Sequence, residues 1–484
     1  MPTSIDQQID ATGIAQVIAV LKSPAAKPPG VKAGGLALTA TAAASPQLLG
    51  LEQYFVKSEL SQNHAIALAG TTHIASLQSR GVTSTRSAGR IRTPPAVLHF
   101  PNLGVMLGTV TKEGLAGLRI DQRIDTVSGA PQPSLIRPVN VAAAKPIRQS
   151  TWGIEFLGVR RLWDQGLTGK GVRVGHLDTG ADGKHPALRK AIASFAEFDS
   201  FGVQVTPSPK PYDTDDHGTH TAATIAGRPV SRHSVGVAPQ AELASAIVIE
   251  GGNVIARILG GMDWALSQNV RILNMSLGLR GFFDDFLAVT QILRGRNVLP
   301  IFAVGNEGPG TSRSPGNYLE SLSVGAHDKN GAAAIFSSSQ RFVRENDPLV
   351  PDLVAPAVDV ISAKPGGGFQ LMSGTSMATP HVAGLAALLL EAKPNATADD
   401  IETAIFNSCS LAGIPAERGN RGFPDAVRAF TALTGTTLPT STTRNRRNDI
   451  VTKKARRSGS RKVGKTSKKG GGVARRVARR RKPR

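Results

Sequence analysis

Short apolar runs alternate with amphipathic segments through the middle of the chain, from about residue 151 to residue 434. The runs typical of buried strands are 172–177, 243–249, 270–274, 298–304 and 322–324. Helical patterns lie between them, one after His217 and the others over 254–268 and 283–294. A later helix is predicted to begin at Thr397, with Asp400 as the acidic partner of its cap. Strands that alternate with helices predict a parallel sheet covered on both faces.

The first 150 residues have weaker patterns. Residues 1–50 are rich in Ala, Pro, Gly and Thr without clear periodicity, which predicts a flexible leader. Within 51–138, residues 103–111 and 124–127 have strand patterns and 112–118 a helical one, which predicts a small α+β domain. Prolines at 131, 133 and 138 interrupt the pattern, and residues 139–150 are predicted to be a linker.

The net charge of +22 lies almost entirely in the last part of the chain. Residues 444–484 contain 19 Lys and Arg and one acidic residue, Asp449, so their net charge is +18 and the rest of the chain carries +4. Residues 435–484 are too polar to fold alone and are predicted to form a disordered basic tail. Such a tail binds polyanions, nucleic acid or an acidic polymer, by charge. The alternative is a solubilising end without a partner.

The composition also excludes several classes of protein. No run reaches the roughly 18 to 20 apolar residues that cross a membrane. Cys409 is the only cysteine, so the chain can form neither an intramolecular disulfide nor a cysteine-rich zinc site. The N-terminus lacks the basic and then apolar pattern of a secretory signal. The compartment is therefore left open.

Three short motifs carry candidate chemistry. The sequence DTG at 178–180 ends an apolar strand, DHGTH at 216–220 opens a helix of small residues, and GTSMATPH at 374–381 opens an apolar helix. Hydrolysis of a peptide bond needs a nucleophile, a base and a group that orients the base, and Ser376, His217 and Asp178 supply these three roles. At a helix start, Ser376 also has backbone N–H groups that favour developing negative charge.

A fourth motif, AVGNEG at 303–308, follows another predicted strand. Its Asn306 can donate a side-chain hydrogen bond to the oxyanion of a tetrahedral intermediate. Taken singly, each residue has a structural reading: Asp178 in a turn, His217 in the core, Ser376 as a helix cap. It is improbable that all three structural interpretations are correct at once.

In their order Asp, His and Ser, and with NMSLG at 274–278 between them, these motifs resemble those of subtilisin-like serine proteases, the subtilases. The resemblance covers about residues 150–434 and includes spacings of 39 and 159 residues between the three candidate catalytic positions. It implies a doubly wound α/β fold with a mostly parallel seven-stranded sheet and the activity of a serine endopeptidase. It also implies that the substrate backbone lies along Ser276, Leu277, Gly278, Gly251 and Gly252 as an added strand.

The resemblance has further implications for the N-terminal domain and the specificity. Residues from about 99 to 130 resemble the later half of the family's inhibitory propeptide, with 115–120 as its helix. A zymogen that cuts itself between Pro131 and Trp152 follows; the alternative is a small domain with no inhibitory role. Aligning Pro315-Gly316 with a Pro-Gly pair of the family places Arg313 near the floor of the primary pocket. There it favours an acidic or small polar side chain before the cut, unless it points to solvent.

No cofactor is expected, and the chain is expected to be a monomer. His217 and His220 have the spacing of two metal ligands on a helix, but no third ligand accompanies them. His185, His220 and His381 match structural positions. Calcium is common in the family, but Arg228, Arg232 and His233 occupy the usual loop and disfavour a divalent cation. The family is typically secreted, whereas the N-terminus leaves a cytoplasmic location open. A competing hypothesis is an inactive subtilase scaffold that binds polyanions through its tail.

Overall fold

A computed structural model describes residues 4–22, 50–56, 96–144, 150–199, 201–249 and 251–439. The described residues up to Leu438 belong to one structural unit. The predicted flexible leader beyond residue 22 and the predicted basic tail from residue 440 lie outside the described residues. No described helix has the length and apolar character needed to span a bilayer.

The N-terminal domain is a four-stranded antiparallel sheet with two helices packed on one face. The strands lie in the order β2-β3-β1-β4. In chain order its elements are α1 (Ile5–Thr12), β1 (Ala15–Leu21), a 3₁₀ turn (Leu51–Tyr54), β2 (Val97–Phe100), β3 (Val105–Val110), α2 (Lys112–Ile120) and β4 (Ile124–Gly129).

The interpretation of residues 1–50 as a flexible leader is wrong for residues 4–22. Ser4 caps α1, and β1 lies inside the sheet, between β3 and β4. Both faces of β1 are buried: Val17 packs into the domain's own core, whereas Ile18 packs into the cluster shared with the next domain. A strand buried on both faces is a short apolar run without alternation. A single run of this kind, outside a series of alternating strands and helices, cannot be told from a segment of buried helix by its pattern alone.

The centre of the fold is a parallel sheet of seven strands in the order β17-β14-β12-β10-β7-β9-β8. Its strands, numbered along the chain, are β7 (Arg173–Asp178), β8 (Ile192–Glu197), β9 (Glu242–Ile247), β10 (Ile272–Met275), β12 (Leu299–Ala303), β14 (Leu322–His327) and β17 (Leu353–Pro356). The five strands predicted from apolar runs are all present. The sequence analysis did not predict the two edge strands, β8 and β17.

Helices cover both faces of this sheet, and two apolar clusters lie beneath them. The helices are α3 (Trp152–Leu157), α4 (Arg160–Trp163), α5 (His217–Ala226), α6 (Val254–Ser267), α7 (Leu287–Gly295), α8 (Thr375–Ala392), α9 (Ala398–Ser408), α10 (Ala416–Gly419) and α11 (Ala426–Thr434). The predicted capping of α9 by Thr397 and Asp400 is present as a reciprocal box. The doubly wound α/β architecture is therefore confirmed.

Short strands form smaller sheets near the catalytic motifs. They are β5 (Ser134–Leu135), β6 (Asn140–Ala144), β11 (Leu277–Arg280), β13 (Arg313–Ser314), β15 (Gln340–Arg341), β16 (Leu349–Val350), β18 (Val360–Ala363) and β19 (Phe369–Ser373). One sheet has the order β13-β11-β5 and another the order β18-β19-β6. The chain that leaves the N-terminal domain thus adds a strand to each of two sheets of the next domain.

The N-terminal domain packs on helix α6 through apolar and polar contacts. Phe100 and Leu103 belong to the same continuous apolar cluster as Leu259 of α6. The carboxylate of Asp263 accepts the backbone N–H groups of Asn102 at 2.6 Å and Leu103 at 3.0 Å, and also the Asn102 side chain at 3.0 Å. This packing joins the N-terminal domain to the domain of the central sheet. The connecting segment, residues 130–144, leaves the N-terminal domain after β4.

Candidate active site

Asp178 and His217 are brought together by the ends of two elements. Asp178 is the last residue of β7, and His217 is the first residue of α5. The Nδ1 atom of His217 lies 2.7 Å from Oδ1 of Asp178, and both side chains are almost completely buried. The backbone N–H of Thr179 donates to the same carboxylate oxygen at 2.7 Å. Asp178 is thereby held in one orientation and in turn orients the imidazole ring.

The two groups stabilise each other's charged forms. Burial raises the pKa of Asp178, but the charge and hydrogen bond of His217 outweigh it and hold the pKa below its usual value. Burial lowers the pKa of His217, whereas the charge of Asp178, with smaller effects of Asp215 and Asp213, brings the pKa above its usual value. A histidine in this setting accepts a proton readily, as a general base must.

A second histidine, which the sequence did not single out, lies behind Asp178. His176 is fully buried, and its Nε2 atom lies 2.8 Å from the hydroxyl of Thr221, which donates to Oδ2 of Asp178 at 3.2 Å. Its Nδ1 atom lies 2.9 Å from the hydroxyl of Ser245. Burial lowers the pKa of His176 to about 4, so the ring is neutral at neutral pH. The signal in the sequence was a polar residue within an otherwise apolar strand.

Ser376 is the second residue of α8 and is fully buried. Its Oγ atom donates a hydrogen bond of 2.7 Å to the carbonyl oxygen of Ile136, a residue of the connecting segment. Within the described part of the chain, Nε2 of His217 has no hydrogen-bond partner. A peptide carbonyl of the chain itself therefore lies against the candidate nucleophile.

Asn306 lies beside the next carbonyl. Its Oδ1 atom accepts the N–H and the hydroxyl of Thr375, each at 2.9 Å, which fixes the orientation of the amide. Its Nδ2 atom then donates to the carbonyl oxygen of Arg137 at 2.9 Å. The predicted oxyanion donor and the candidate nucleophile thus contact neighbouring carbonyls of the same stretch of backbone, residues 136–137. The helix that begins at His217 packs against α8.

The connecting segment crosses the cleft as an extended chain. In β5, Ser134 pairs with Gly278 and Leu135 with Leu277, antiparallel. The N–H of Ile136 continues this ladder by donating to the carbonyl of Ser276 at 3.0 Å. The predicted substrate-pairing strand 276–278 is therefore paired with the chain's own residues 134–136, which the sequence pattern placed in a proline-rich break.

Beyond Ile136, the side chain of Arg137 turns toward the loop before α5. Its Nη1 atom lies 3.1 Å from Oδ2 of Asp215, and both side chains are partly exposed. The loop before α5 thus includes a carboxylate, that of Asp215, which contacts the connecting segment.

Two other predicted substrate contacts, Gly251 and Gly252, are not paired with the connecting segment in the described part of the chain. Gly251 and Gly252 form no backbone hydrogen bond with residues 134–136 among the described residues, and Gly251 has open space around its Cα atom. Gly252 has a φ of 91°, which strains any residue with a side chain. Their pairing with a substrate stays a prediction.

Arg313 is buried, at 4% exposure, and does not point to solvent. It forms an ion pair with Glu307 through Nε and Nη2. Its Nη1 atom donates to the carbonyl of Gly278 at 3.2 Å and to the hydroxyl of Ser134 at 3.1 Å. The side chain therefore lies between the strand that pairs with residues 134–136 and the loop of Asn306, with its charge matched by a carboxylate.

The residues do not fit a calcium ion in the loop that follows α5. The guanidinium group of Arg228 donates to the carbonyl oxygens of Ala226, Ala241 and Lys190 at 2.7 to 3.0 Å. Carbonyl oxygens engaged by a cation are poor ligands for a second one. In the described ranges, no group of three or more His, Cys, Asp or Glu side chains is placed to hold a metal ion.

Comparisons with known proteins point to one family. The model of the subtilase family matches residues 169–450. The thermostable alkaline protease of Halalkalibacterium halodurans is 32% identical over 336 residues, which cover 69% of this chain and 85% of that protein. Subtilisin Savinase of Lederbergia lenta is 36% identical over 264 residues, 54% of this chain and 92% of that protein. The intracellular serine protease of Paenibacillus polymyxa is 37% identical over 247 residues, 49% of this chain and 72% of that protein.

Proposed function

This chain belongs to the subtilase family and is a serine-type endopeptidase, and on that premise we propose that Asp178, His217 and Ser376 are its catalytic triad. The observation that carries the proposal is the 2.7 Å hydrogen bond from Oγ of Ser376 to a peptide carbonyl, on a helix that packs against α5, whose first residue, His217, is paired with Asp178. Enzymes of this family generally hydrolyse peptide bonds without a cofactor.

The proposed reaction has two stages. Nε2 of His217 removes the proton of the Ser376 hydroxyl as Oγ attacks the peptide carbonyl, and Asp178 stabilises the imidazolium that forms. The side-chain N–H of Asn306 and the backbone N–H of Ser376 hold the negative oxygen of the tetrahedral intermediate. His217 then gives its proton to the leaving amine. Water attacks the acyl-enzyme by the same route and releases the acid.

We further propose that the protein is made as a zymogen that cuts itself between Ile136 and Arg137. Two contacts support this bond: the carbonyl of Ile136 lies on Ser376, and the N–H of Ile136 pairs with Ser276. Asn306 donates to the next carbonyl, that of Arg137, so the segment must shift for Asn306 to hold the oxygen of the carbonyl that is attacked. The N-terminal domain and the connecting segment would block the cleft until the bond is cut. The bond lies within the interval, between Pro131 and Trp152, that the sequence analysis predicted.

Purification of the expressed full-length chain followed by N-terminal sequencing tests both proposals. The active protein should begin at Arg137, and a fluorophosphonate probe should label it. The Ser376→Ala variant should remain full length and unlabelled, whereas Ser267→Ala, a change on the exposed end of α6, should behave as the wild type. Undiminished peptidase turnover in Ser376→Ala, or an active chain that keeps its N-terminal domain, would overturn the corresponding proposal.

The inactive-scaffold hypothesis makes the opposite prediction for the probe, namely no labelling of the wild type. Polyanion binding itself is compatible with an active enzyme. We propose that residues 444–484, with a net charge of +18, bind nucleic acid or acidic polymers without sequence preference. A chain that ends at Pro439 should retain peptidase activity and lose this affinity. A salt titration of nucleic-acid binding with both proteins measures the difference.

A further inference from the structure

The connecting segment continues across the cleft on the far side of the proposed scissile bond. The N–H of Val139 donates to the carbonyl of Ser373 at 2.8 Å. Strand β6 then pairs antiparallel with β19 over five residues, from Asn140 opposite Ser373 to Ala144 opposite Phe369. Because β18 pairs with the other edge of β19, β6 takes the edge that remains.

This edge is joined directly to the nucleophile. β19 ends at Ser373, and α8, which contains Ser376, begins two residues later. A strand that adds to β19 is therefore aligned with the catalytic serine by the backbone itself. The same chain pairs with β11 on the side before the scissile bond, so residues 134–144 form one extended path through the site.

Recognition on this edge uses the main chain and hardly any side chain. The residues of β6 are Asn140 and four small or β-branched apolar residues, and all but the last are exposed. Val141 in particular is 53% exposed to solvent. Among the described residues, the side-chain hydrogen bond of β6 joins Nδ2 of Asn140 to Oδ1 of Asp359 at a long 3.5 Å. Exposed side chains on a paired strand mean that the backbone ladder supplies the affinity.

We propose that the edge of β19 is a binding site for the C-terminal side of polypeptide substrates, taken as an added antiparallel strand. The inference rests on the proposed function and deepens it. Counted from the proposed cut between Ile136 and Arg137, residues 140–144 are the fourth to the eighth residue after the bond. The corresponding residues of a substrate would bind in their place. The substrate class is an extended or unfolded polypeptide with at least eight residues beyond the bond. The sequence of those residues matters little, provided that they are not proline.

The processed enzyme still carries residues 137–144 as its new N-terminus. That segment competes with the substrate for β19 from a tethered position, and a substrate strand must displace it. Weakening the pairing of β6 therefore exposes the site without altering the catalytic residues or the strand that binds the substrate.

The first experiment compares peptides with identical residues before the cut and identical first three residues after it. One series ends at the third residue after the bond and the other at the eighth. The longer peptides should have a kcat/KM higher by on the order of tenfold, chiefly through a lower KM, because they form additional backbone hydrogen bonds with β19. N-methylation at each of the five outer positions should lower kcat/KM at alternate positions, because an antiparallel strand donates to its neighbour from every second residue.

The second experiment changes the competing strand in the processed enzyme. Ala142→Pro and Ala143→Pro are adjacent, so one of the two removes a donor of the ladder. That variant should lower KM for the long peptides and leave KM for the short ones unchanged. Ala142→Gly and Ala143→Gly are the matched controls, since they keep the N–H.

Equal kcat/KM for short and long peptides, or an N-methyl scan in which the effect does not recur at every second position, overturns the inference. If the peptides are still cleaved in that case, the proposed function stands. If neither peptide is cleaved and the fluorophosphonate probe does not label Ser376, the proposed function fails, and the inference fails with it.

Discussion

The Nε2 atom of His176 lies 3.9 Å from Oδ2 of Asp178, and the hydroxyl of Thr221 is hydrogen-bonded to both. Because a hydroxyl has a single proton, a Thr221 that donates to Asp178 must accept from His176. In that arrangement the neutral imidazole carries its proton on Nε2, and its Nδ1 accepts from Ser245. We propose that His176 is a positioning residue, which acts on Asp178 through Thr221.

Replacement of this histidine should affect turnover more than binding. His176→Val removes the donor to Thr221 and frees its hydroxyl to turn away from Asp178, so kcat should fall on the order of tenfold, ~1.4 kcal/mol, with KM nearly unchanged. His176→Gln keeps an N–H donor and should recover most of the loss. Steady-state kinetics on one peptide decides. A valine variant with wild-type kcat, or a glutamine variant that is no better, would contradict the role.

The stability of the fold should fall as the pH falls from about 6.5 to 4. Burial lowers the pKa of four histidines in the folded state, to about 4 for His176, His327 and His381 and to about 3 for His220. In this interval the unfolded chain binds more protons at these sites than the folded chain, so acid favours unfolding. Burial raises the pKa of Asp213 and Asp352 to about 7, which opposes this effect at two sites.

Urea unfolding of the Ser376→Ala chain, which does not digest itself, measures this dependence. Adding His176→Val removes one titrating site, so its stability relative to the parent should improve by up to about 1.4 kcal/mol per pH unit as the pH is lowered from 6.5 to 4. A difference in stability that does not change with pH would show that His176 does not titrate as described.

The acid limb of the activity profile should respond to Asp215. Asp178 is the main group that raises the pKa of His217, and Asp215 adds to it. Activity requires neutral His217 and is lost as the pH falls through this pKa. Asp215→Asn removes one negative charge and should move the acid limb of kcat/KM to lower pH. Asp182→Asn, a change at a partly exposed carboxylate of another loop, is the control. An acid limb that stays at the same pH in Asp215→Asn, or moves to higher pH, would show that Asp215 does not raise the pKa of His217.

The pair of Arg313 and Glu307 should determine the side chain accepted before the cut. We propose that their buried ion pair fills the end of the primary pocket and that Glu307 masks the charge of Arg313. Glu307→Gln leaves a buried arginine without its counter-charge and should raise kcat/KM for acidic residues relative to aliphatic ones. Arg313→Gly should open space and favour larger side chains. A peptide library cut with an unchanged preference by both variants would remove the pair from the pocket.

The docking of the N-terminal domain should depend on Asp263. Asp263→Ala removes the acceptor of three hydrogen bonds from Asn102 and Leu103. The donors are left without this partner, which should reduce the free energy that holds the N-terminal domain on α6 by about 1 to 3 kcal/mol. In the full-length Ser376→Ala chain, amide hydrogen exchange at residues 102–103 should accelerate by tenfold or more. The control is Asp328→Ala, which disrupts a turn elsewhere. Unchanged exchange would show that apolar packing alone holds the domain.

The local pattern of the sequence determined the elements of the central domain and placed the proposed catalytic residues at their ends. The apolar runs that end at Asp178 and before Asn306 are strands of the sheet, and the small-residue segments that begin at His217 and near Ser376 are helices. These predictions succeed because a strand buried on both faces and a helix with small residues at its start each have a local signature. The subtilase motifs then identified the family.

Tertiary structure decided what depends on surfaces that are far apart in the chain. β1 is a strand because β3, β4 and helix α6 bury it, and nothing within residues 15–21 announces those partners. Residues 134–144 are extended because the free edges of β11 and β19 supply hydrogen bonds that a proline-rich segment cannot supply to itself. Arg313 is buried because Glu307 compensates its charge. The local sequence encodes the conformation of a single helix or strand. Pairing along the edge of a sheet and the neutralisation of a buried charge depend on contacts between residues far apart in the chain, so they exist only in the folded protein.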